Sequence, residues 1–340
     1  MTTQPAIWFP TVRTGTGTDV FTERLVANLQ KQGIRAAITW LPLHAEYLPW
    51  TVLIPKPPPW ATITHVNTWL HPRFLPPSLP VVTTIHHSVH HPDARAYKGA
   101  LRSAYHRWWI APNERRVLLR AECVTAVSQF VATTAQQTLV DVPMQVIHNG
   151  VDTDLFVPGV RQRRMSEPFR LLYVGSWMAR KGVDLLAPIM RELGDGFELH
   201  YTGGPTAEHD QAGMPPNMHD IGRLQGDAAV VAAMQAADAL LFPSRSEGFG
   251  LVAAEAMACG LPVIATRGSS LTDVVADGVT GLLCAQDDAQ AFATAARKLA
   301  TTPALCTAMT AAAQQRAVQY FSTDAMVQAY TQAYRNLSSQ

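Results

Sequence analysis

Residues 243–260 read PSRSEGFGLVAAEAMACG and place two glutamates, Glu247 and Glu255, on either side of a glycine-rich bend. The preceding residues, ADALLFPS, are typical of a buried strand, and the residues from Gly250 onward are typical of a helix that Gly260 ends. The stretch therefore predicts a strand, a bend and a helix, which is the repeating unit of an α/β protein. Because ligands bind at the carboxyl ends of such strands, the bend is a candidate binding site.

The two acids can face the same crevice at this bend. Glu247 lies on the bend, and Glu255 lies in the first two turns of the helix, where side chains lean toward the helix N-terminus. The N–H groups at a helix start favour negative charge, so a diphosphate could bind there while the two carboxylates accept hydrogen bonds from hydroxyl groups. A ligand that has both a diphosphate and hydroxyl groups is a nucleotide sugar. A second interpretation stays open, because acids near a helix start often only complement the helix dipole.

The chain as a whole predicts two α/β domains in tandem, each with a doubly wound sheet. Its 340 residues exceed the usual size of a single core. We expect a first domain over residues 1–150, an aperiodic linker over 151–168 and a second domain over 169–320, followed by a helix over 321–340 that packs back toward the first domain. The ten prolines between positions 42 and 80 indicate loops around one strand.

Composition excludes several classes of protein. Hydrophobic residues make up 47% and charged residues 16%, and the formal net charge of +1 supplies no field that would attract nucleic acid. The four cysteines lack the spacing of a secreted disulfide scaffold, which favours a reducing cytoplasm. The N-terminus lacks the features of a signal peptide, and no apolar run is long enough to predict a membrane span.

A glycine loop follows the first predicted strand. In TVRTGTGTD, Gly15 and Gly17 would let the backbone approach a phosphate or an acceptor closely. The loop lacks the third glycine of a dinucleotide fingerprint, and the chain contains no G-K-S or G-K-T loop. A nicotinamide enzyme is therefore disfavoured, and a P-loop kinase is excluded.

The bend resembles the signature of glycosyltransferase family 4, the retaining group 1 glycosyl transferases of GT-B fold, which carry Glu, seven residues, Glu around a G-F-G bend. Four further motifs follow the family's order: PTVRTGTGTDVFTERLVANLQKQG, TAVS, VIHNGVDTDLF and YVGSWMARKGVDLL. The resemblance covers most of the chain. It implies two Rossmann-like domains that face an interdomain cleft, and a UDP-, GDP- or ADP-sugar as donor with no other cofactor.

Carried over residue by residue, the resemblance also implies roles. Glu255 would hold the ribose hydroxyls, Glu247 would lie beside the transferred sugar, and Lys181 would neutralise the leaving diphosphate. The expected catalytic residues are Glu247, Lys181 and His86, and the expected donor-binding residues are Glu255, Arg180, Gly248, Phe249, Gly250, Leu251, Gly17 and Gly175. One position departs from the family, which has arginine where this chain has Ser176; Arg180 is the candidate to replace that cation.

Histidines and aspartates raise the question of a metal. His86 falls where the family has a histidine near the reacting sugar, whereas a metal bound by His86, His87, His90 and His91 is the alternative. The D-x-D sequence at 152–154 lies at the linker, where the resemblance gives it a turn role. We expect transfer without a metal ion, with cationic side chains and the helix N-terminus in its place.

The segment 98–120 is the best clue to the acceptor. It combines six basic residues with a tyrosine and two tryptophans, which suits anionic lipid headgroups or a lipid diphosphate at the inner face of a membrane. Pro112 is expected to interrupt it, and a solvated or buried role for the segment stays open.

The sequence thus predicts a retaining transferase that moves a hexosyl unit to a glycan, a lipid-linked or a small-molecule acceptor. Attack on the same face as the departing phosphate is the expected mechanism, because no protein nucleophile accompanies Glu247. A phosphorylase or an epimerase of the same fold is an alternative, and so is a non-catalytic subunit that binds a sugar nucleotide.

Overall fold

The computed structural model describes residues 4–87, 89–92, 97, 99–159 and 167–338. The chain forms two compact units, one of residues 1–150 together with 323–340 and the other of residues 151–322. Residues 160–166 of the predicted linker and Lys98 of the basic segment lie outside the described residues. In the described ranges, no helix has both the length and the apolar character needed to cross a bilayer.

The first unit is a six-stranded parallel sheet in the order β2-β1-β3-β4-β5-β6, with helices around it. Its strands are β1 (Ile7–Val12), β2 (Ala36–Leu41), β3 (Ile63–Asn67), β4 (Val81–Ile85), β5 (Cys123–Ala126) and β6 (Gln145–Val146). Its helices are α1 (Gly17–Lys31), α2 (Ala100–Tyr105), α3 (Ala111–Arg120), α4 (Gln129–Thr138) and α11 (Thr323–Ser338). Every residue of β1, β3 and β4 is buried, as expected for strands covered on both faces, whereas the four middle residues of β2 are only partly buried.

The C-terminal helix α11 is part of the core of the first unit. Its Tyr330 and Tyr334 are fully buried, and they pack with residues of α1 and the sheet. The ring of His65 on β3 connects this helix to the sheet, because Nδ1 lies 2.7 Å from the Tyr334 hydroxyl and Nε2 lies 2.7 Å from Thr84 Oγ1. The last helix of the chain therefore contributes to the stability of the first unit.

Burial of His65 predicts a pH dependence of stability. Its pKa is lowered by burial from 6.5 to about 3, so the unfolded chain binds the proton first when the pH falls. The free energy of unfolding should then drop by about 1.4 kcal/mol per pH unit below pH 6.5 from this group alone. The free energy of unfolding, measured by denaturant at several pH values between 7 and 5, should fall less steeply with pH in His65→Gln than in the native chain. The same slope in both would contradict this account, and the exposed His44→Gln serves as control.

The second unit is another six-stranded parallel sheet, in the order β12-β11-β10-β7-β8-β9. Its strands are β7 (Phe169–Tyr173), β8 (Phe197–Tyr201), β9 (Met218–Asp220), β10 (Ala239–Phe242), β11 (Val263–Thr266) and β12 (Gly281–Cys284). Its helices are α5 (Val183–Leu193), α6 (Gly226–Gln235), α7 (Leu251–Ala258), α8 (Leu271–Val274), α9 (Ala289–Thr301) and α10 (Pro303–Phe321). The strand order reverses between β7 and β10, which is the position where doubly wound sheets bind ligands.

The two sheets confirm the predicted α/β architecture, but several local predictions need correction. Strands β2 and β9 and helix α6 were not predicted. The sequence MQVIHNG, residues 144–150, is typical of a strand, but only its two residues Gln145–Val146 form one, β6. Pro112 does not interrupt the basic segment. A π-helical turn at His106–Ile110 joins α2 to α3, and this wider turn accommodates a proline that cannot donate an N–H group.

Candidate functional site

The site in the second unit lies at the reversal point of its sheet. Strands β7 and β10 are hydrogen-bonded neighbours, with Ala239 opposite Leu171. Their carboxyl ends lead into two loops, a glycine turn over 174–182 and the glutamate bend over 243–250. The two sequence motifs, 66 residues apart, therefore lie side by side because parallel strands end at the same edge.

Two glycines hold these loops together. Gly182 has a φ of +73°, and a Cβ there would lie 2.1 Å from the carbonyl oxygen of Pro243. Gly250 has a φ of +91°, and a Cβ there would lie 2.8 Å from a methyl carbon of Leu271. Any other residue at either position would be strained as well as crowded, so the motifs require glycine for geometry.

Lys181 and Glu247 form an ion pair between the two loops. Nζ of Lys181 lies 2.5 Å from Oε1 of Glu247, and their side chains are only 16% and 10% exposed. The ammonium group also lies 5.7 Å from the ring centre of Phe242, a cation–π contact. Each charge in this poorly hydrated position depends on the other, because an unpaired buried charge is costly.

Arg180 occupies the neighbouring position on the glycine turn. Its Nη1 donates to the carbonyl oxygen of Ser246, 2.5 Å away, so the guanidinium lies on the glutamate bend. Ser176 uses its carbonyl oxygen to accept a 3.1 Å hydrogen bond from the hydroxyl of Tyr173. Burial, and then the charge of Glu247, raise the pKa of Tyr173, so the tyrosine remains a donor. The turn thus carries two cations although it lacks the arginine expected at Ser176.

Glu255 is buried in the first turns of α7, as the sequence predicts for the second glutamate. Burial, and then the charge of Glu255, raise the pKa of the neighbouring Cys259 thiol to about 12. This cysteine therefore stays protonated and is a poor nucleophile. Phe249 points its ring into the core against Phe321, at a centroid distance of 5.5 Å, which leaves its backbone to line the bend.

The backbone of Gly175 is already engaged within the unit. Its N–H donates to Oγ1 of Thr202 over 3.0 Å, and the Thr202 hydroxyl donates to the Gly175 carbonyl over 3.1 Å. The donor-binding role of Gly175 stays a prediction, as do those of Gly248 and Leu251 at the bend. What the structure adds is that Gly175 ties the end of β7 to the end of β8.

Arg245 is a residue that the sequence analysis did not identify. Its guanidinium binds Asp184 through Nη1 and Nη2, each at 2.7 Å, and Asp287 through Nε at 2.6 Å. It also donates from Nη1 to the carbonyl of Ala179, and its backbone N–H donates to the carbonyl of Arg180 over 3.0 Å. Arg245 therefore fixes the segment that carries Arg180 and Lys181. Its role depends on carboxylates that are distant in sequence, so the sequence gives no local signal for it.

Unpartnered hydroxyls mark the same end of the sheet. Within the described residues, Oγ of Ser244, which follows β10, and the hydroxyls of Thr266, Ser269 and Ser270 at the end of β11 are buried without a hydrogen-bond partner. Ser269 also has a φ of +49°, which is unusual for a residue other than glycine. Buried polar groups normally have partners, and strained backbone gathers at functional sites, so this edge fits a polar ligand.

In the first unit, His86 follows β4 directly and is almost completely buried. Its Nε2 lies 3.0 Å from Oδ1 of Asn67, whose Nδ2 donates to Oγ1 of Thr11 over 3.0 Å. This chain of contacts implies that Nε2 carries the proton and that Nδ1 is an acceptor. Burial lowers the pKa of His86 well below its ordinary value, so the ring is neutral at pH 7.

The glycine loop after β1 is closed by an aspartate. The Asp19 carboxylate accepts hydrogen bonds from the N–H groups of Thr14 and Gly15, at 2.9 and 2.7 Å, and from the Thr14 hydroxyl at 2.9 Å. A negative charge is thus already present on this loop. Space is available at Gly17, where a Cβ would meet no atom within 4 Å. The loop suits a neutral group better than a phosphate, and the role of Gly17 stays a prediction.

The other candidate metal positions have local partners. Nε2 of His90 pairs with Glu114 at 2.6 Å, and His91 packs against the ring of Phe130. Oδ1 of Asp152 accepts hydrogen bonds from the backbone N–H groups of Asp154 and Leu155, at 3.1 and 3.2 Å. The D-x-D sequence therefore caps a turn with the carboxylate of its first aspartate.

Comparisons with known sequences identify the family and the relatives of this chain. The family model described as "Glycosyl transferases group 1" matches residues 168–302, and "Glycosyltransferase Family 4" matches residues 60–155. A glycosyltransferase of Methanocaldococcus jannaschii is 30% identical over 62% of this chain and 56% of its own length. A glycogen synthase of Mycobacterium tuberculosis is 29% identical over 80% of this chain and 68% of its own length. The chain thus spans roughly half to two thirds of these relatives.

Solved structures of related shape cover the whole fold. Sucrose-phosphate synthase from Thermosynechococcus elongatus has a TM-score of 0.80 and 22% identity, with 98% of this chain and 99% of that chain covered. The glycosyltransferase WaaG has a TM-score of 0.70 and 18% identity, with 96% and 99% covered. Both units therefore have the Rossmann-like folds of a GT-B protein. Since two family models match consecutive parts of the chain, one in each unit, this protein belongs to the group 1 glycosyl transferases of glycosyltransferase family 4.

Proposed function

We propose that this glycosyltransferase uses a nucleoside diphosphate sugar as donor and binds it at the reversal point of the second sheet. The observation that carries the proposal is the Lys181–Glu247 ion pair, held beside the N-terminus of α7 by two crowded glycines. A cation and a helix N-terminus attract a diphosphate, and carboxylates accept hydrogen bonds from sugar hydroxyls. Among the structural neighbours, HepE of Anabaena was solved with UDP and with UDP-glucose.

The residues divide into three roles in this proposal. Glu255 accepts hydrogen bonds from the ribose hydroxyls. Glu247 orients the transferred hexose together with the backbone of the bend. Lys181 leaves Glu247 to bind the diphosphate, joined by Arg180 and by the unpartnered hydroxyls of Ser269 and Ser270. The donor thereby replaces the ion pair of the free protein with a larger network of charge-assisted hydrogen bonds.

The proposed reaction retains the configuration of the sugar and uses no metal ion. The bond between the anomeric carbon and the β-phosphate oxygen breaks, and the acceptor oxygen bonds to the same face of that carbon. The acceptor proton passes to the departing phosphate oxygen, so the nucleoside diphosphate is the only other product. Lys181 and Arg180 stabilise the charge that develops on this leaving group, which is the largest contribution expected of the protein.

The test is turnover in the presence of EDTA. Purified protein is incubated with UDP-, GDP- or ADP-sugars and mixed acceptor sugars, and release of the nucleoside diphosphate is measured. We expect one donor to be consumed, with EDTA making no difference and NMR of the product showing the donor's anomeric configuration. Donor binding without turnover would favour the non-catalytic subunit, and turnover that needs phosphate as acceptor would favour a phosphorylase. Inhibition by EDTA would contradict metal-independent transfer.

We propose that His86, predicted to be catalytic, contacts the substrate and orients one of its hydroxyls. Because its pKa is lowered by burial, it acts as a neutral hydrogen-bonding group and not as a cation. His86→Asn would retain a hydrogen-bonding side chain, whereas His86→Ala would not. A role in the reaction predicts that the alanine variant loses more turnover than the asparagine variant, at equal thermal stability.

We also propose that α2 and its π-helical extension contact an anionic membrane surface. Leu101 and Trp108 are 90% and 72% exposed there, and Arg107 lies over the Trp108 ring at 5.1 Å. Trp109, in contrast, is partly buried and donates to the carbonyl of Glu46 over 2.8 Å, so Trp108 is the tryptophan proposed to contact lipid. Exposed apolar side chains beside arginine suit the headgroup region.

Vesicle flotation tests this surface. The protein should bind vesicles that contain phosphatidylglycerol and should not bind neutral ones, and Leu101→Ser with Trp108→Ser should reduce binding by about tenfold or more, since each buried apolar side chain contributes about 1–2 kcal/mol. Equal binding by the variant, or none by the native protein, would refute membrane contact through this segment.

A further inference from the structure

Glu198, His200 and His219 form a cluster on strands β8 and β9 of the second sheet. His200 on β8 and His219 on β9 are register partners in adjacent parallel strands, so their side chains project from the same face. Glu198 lies two residues before His200 and projects the same way. Phe197, Leu199 and Tyr201 alternate with them and pack into the core on the other face.

The side chains are close enough to share one ion. One ligand atom from each of the three lies within 4.8 Å of the other two, and within the described ranges no other set of three histidine, cysteine or acidic residues does so. Oε1 of Glu198 lies 3.6 Å from Nε2 of His200, and the two imidazole rings are 5.4 Å apart and nearly perpendicular. Ligand atoms around a tetrahedral zinc ion are about 3.3 Å apart when the bonds are about 2.0 Å, so rotamer adjustment suffices.

We propose that these three residues bind a divalent transition metal, with zinc as the best match. Two imidazoles and one carboxylate are a zinc ligand set, and a water molecule completes the tetrahedron. Arg170 donates to Oε1 of Glu198 and so orients the carboxylate from behind, as residues next to metal ligands commonly do. Its positive charge weakens cation binding, so we expect a lower affinity than that of a closed structural site.

The position of the cluster gives the ion a structural effect. Asp220 follows His219. Its carboxylate accepts hydrogen bonds of 2.8–3.0 Å from the N–H groups of Gly203, Gly204 and Gly222. These contacts hold together the loops that leave β8 and β9. Strand β9 has only three residues and lies at the edge of the sheet, so few backbone hydrogen bonds retain it. A metal ion that joins His200 to His219 therefore fixes β9 and, through Asp220, both loops.

Zinc titration of the full chain tests the proposal without reference to turnover. Protein produced without a histidine tag and stripped with EDTA is titrated with Zn²⁺ by calorimetry, beside His200→Ala, His219→Ala and the matched control His209→Ala, an exposed histidine of the same unit. We expect one ion per native chain, affinity at least tenfold lower in His200→Ala and His219→Ala, and no change in His209→Ala.

Hydrogen exchange supplies a second readout. Zinc should slow exchange of the amides of Gly203, Gly204 and Gly222 in the native chain and in His209→Ala, but not in His219→Ala. Because His219 is exposed, its replacement should not prevent folding. Absence of stoichiometric binding, or binding of equal strength in His219→Ala, would overturn the proposal; the second result would assign the zinc to other histidines or to the cysteines.

Discussion

Replacing Lys181 with methionine should lower kcat by about 10²–10³-fold, the largest effect expected of any single substitution in this protein. The ammonium group is one of two cations on the glycine turn, and removal of one group that stabilises developing charge typically costs about 3–4 kcal/mol. Methionine keeps an unbranched side chain of nearly the same length but carries no charge to contact the Phe242 ring. Steady-state kinetics with the preferred donor would show the loss mainly in kcat.

A double variant separates the chemical role of Lys181 from its structural role. Lys181→Met alone leaves the 10% exposed carboxylate of Glu247 without its partner, which should reduce thermal stability. Adding Glu247→Gln removes that unpaired charge and should restore much of the stability, whereas turnover should stay low. Turnover of the double variant should lie well below that of Glu247→Gln alone, and equal turnover in these two variants would show that Lys181 acts only as the partner of Glu247.

Arg245→Met should reduce kcat/KM by about ten- to hundredfold although Arg245 is not proposed to touch the donor. Its guanidinium fixes Asp184, Asp287 and the carbonyl of Ala179, and a displacement of about 1 Å in a catalytic group can cost a hundredfold in rate. The stability cost should be only about 1–2 kcal/mol, because both carboxylates are about half exposed and can be hydrated.

Arg297→Met is the matched control for this prediction. Arg297 on α9 also pairs with a carboxylate of the second unit, that of Glu192 on α5, and both side chains are 40% exposed. Its loss should leave turnover within about twofold, as is usual for exposed ion pairs. Equal losses of activity in both variants would mean that surface charge matters, and would remove the positioning role of Arg245.

Local patterns allowed much of the site to be predicted. The glutamate bend and the glycine turn are each continuous in sequence, and each follows an apolar strand, so their shared location follows from parallel pairing alone. The G-F-G pattern placed Gly250 in the bend, and its φ of +91° is one that favours glycine. These features depend on neighbours in sequence or on general rules of sheets.

Other features depend on contacts between distant residues, which one sequence does not reveal. Nothing in the local sequence distinguishes Arg245 from the other arginines of the chain. Its partners Asp184 and Asp287 lie 61 and 42 positions away. Strand β2 was missed because AAITWL is short and stands beside a proline-dense region, and only its pairing with β1 makes it a strand. Pro112 was assigned as a helix break because the π-helical turn that accommodates it has no sequence signature.

The most direct test of the account is a calorimetric titration of UDP-, GDP- and ADP-sugars in EDTA, on the native protein and on Glu255→Ala. We expect one of these donors to bind, with an affinity about 10- to 100-fold weaker in the variant, since a hydrogen bond to a charged group contributes about 1.5–3 kcal/mol. If no donor binds the native protein, or if Glu255→Ala binds equally well, the assignment of the glutamate bend as a nucleotide-sugar site is wrong.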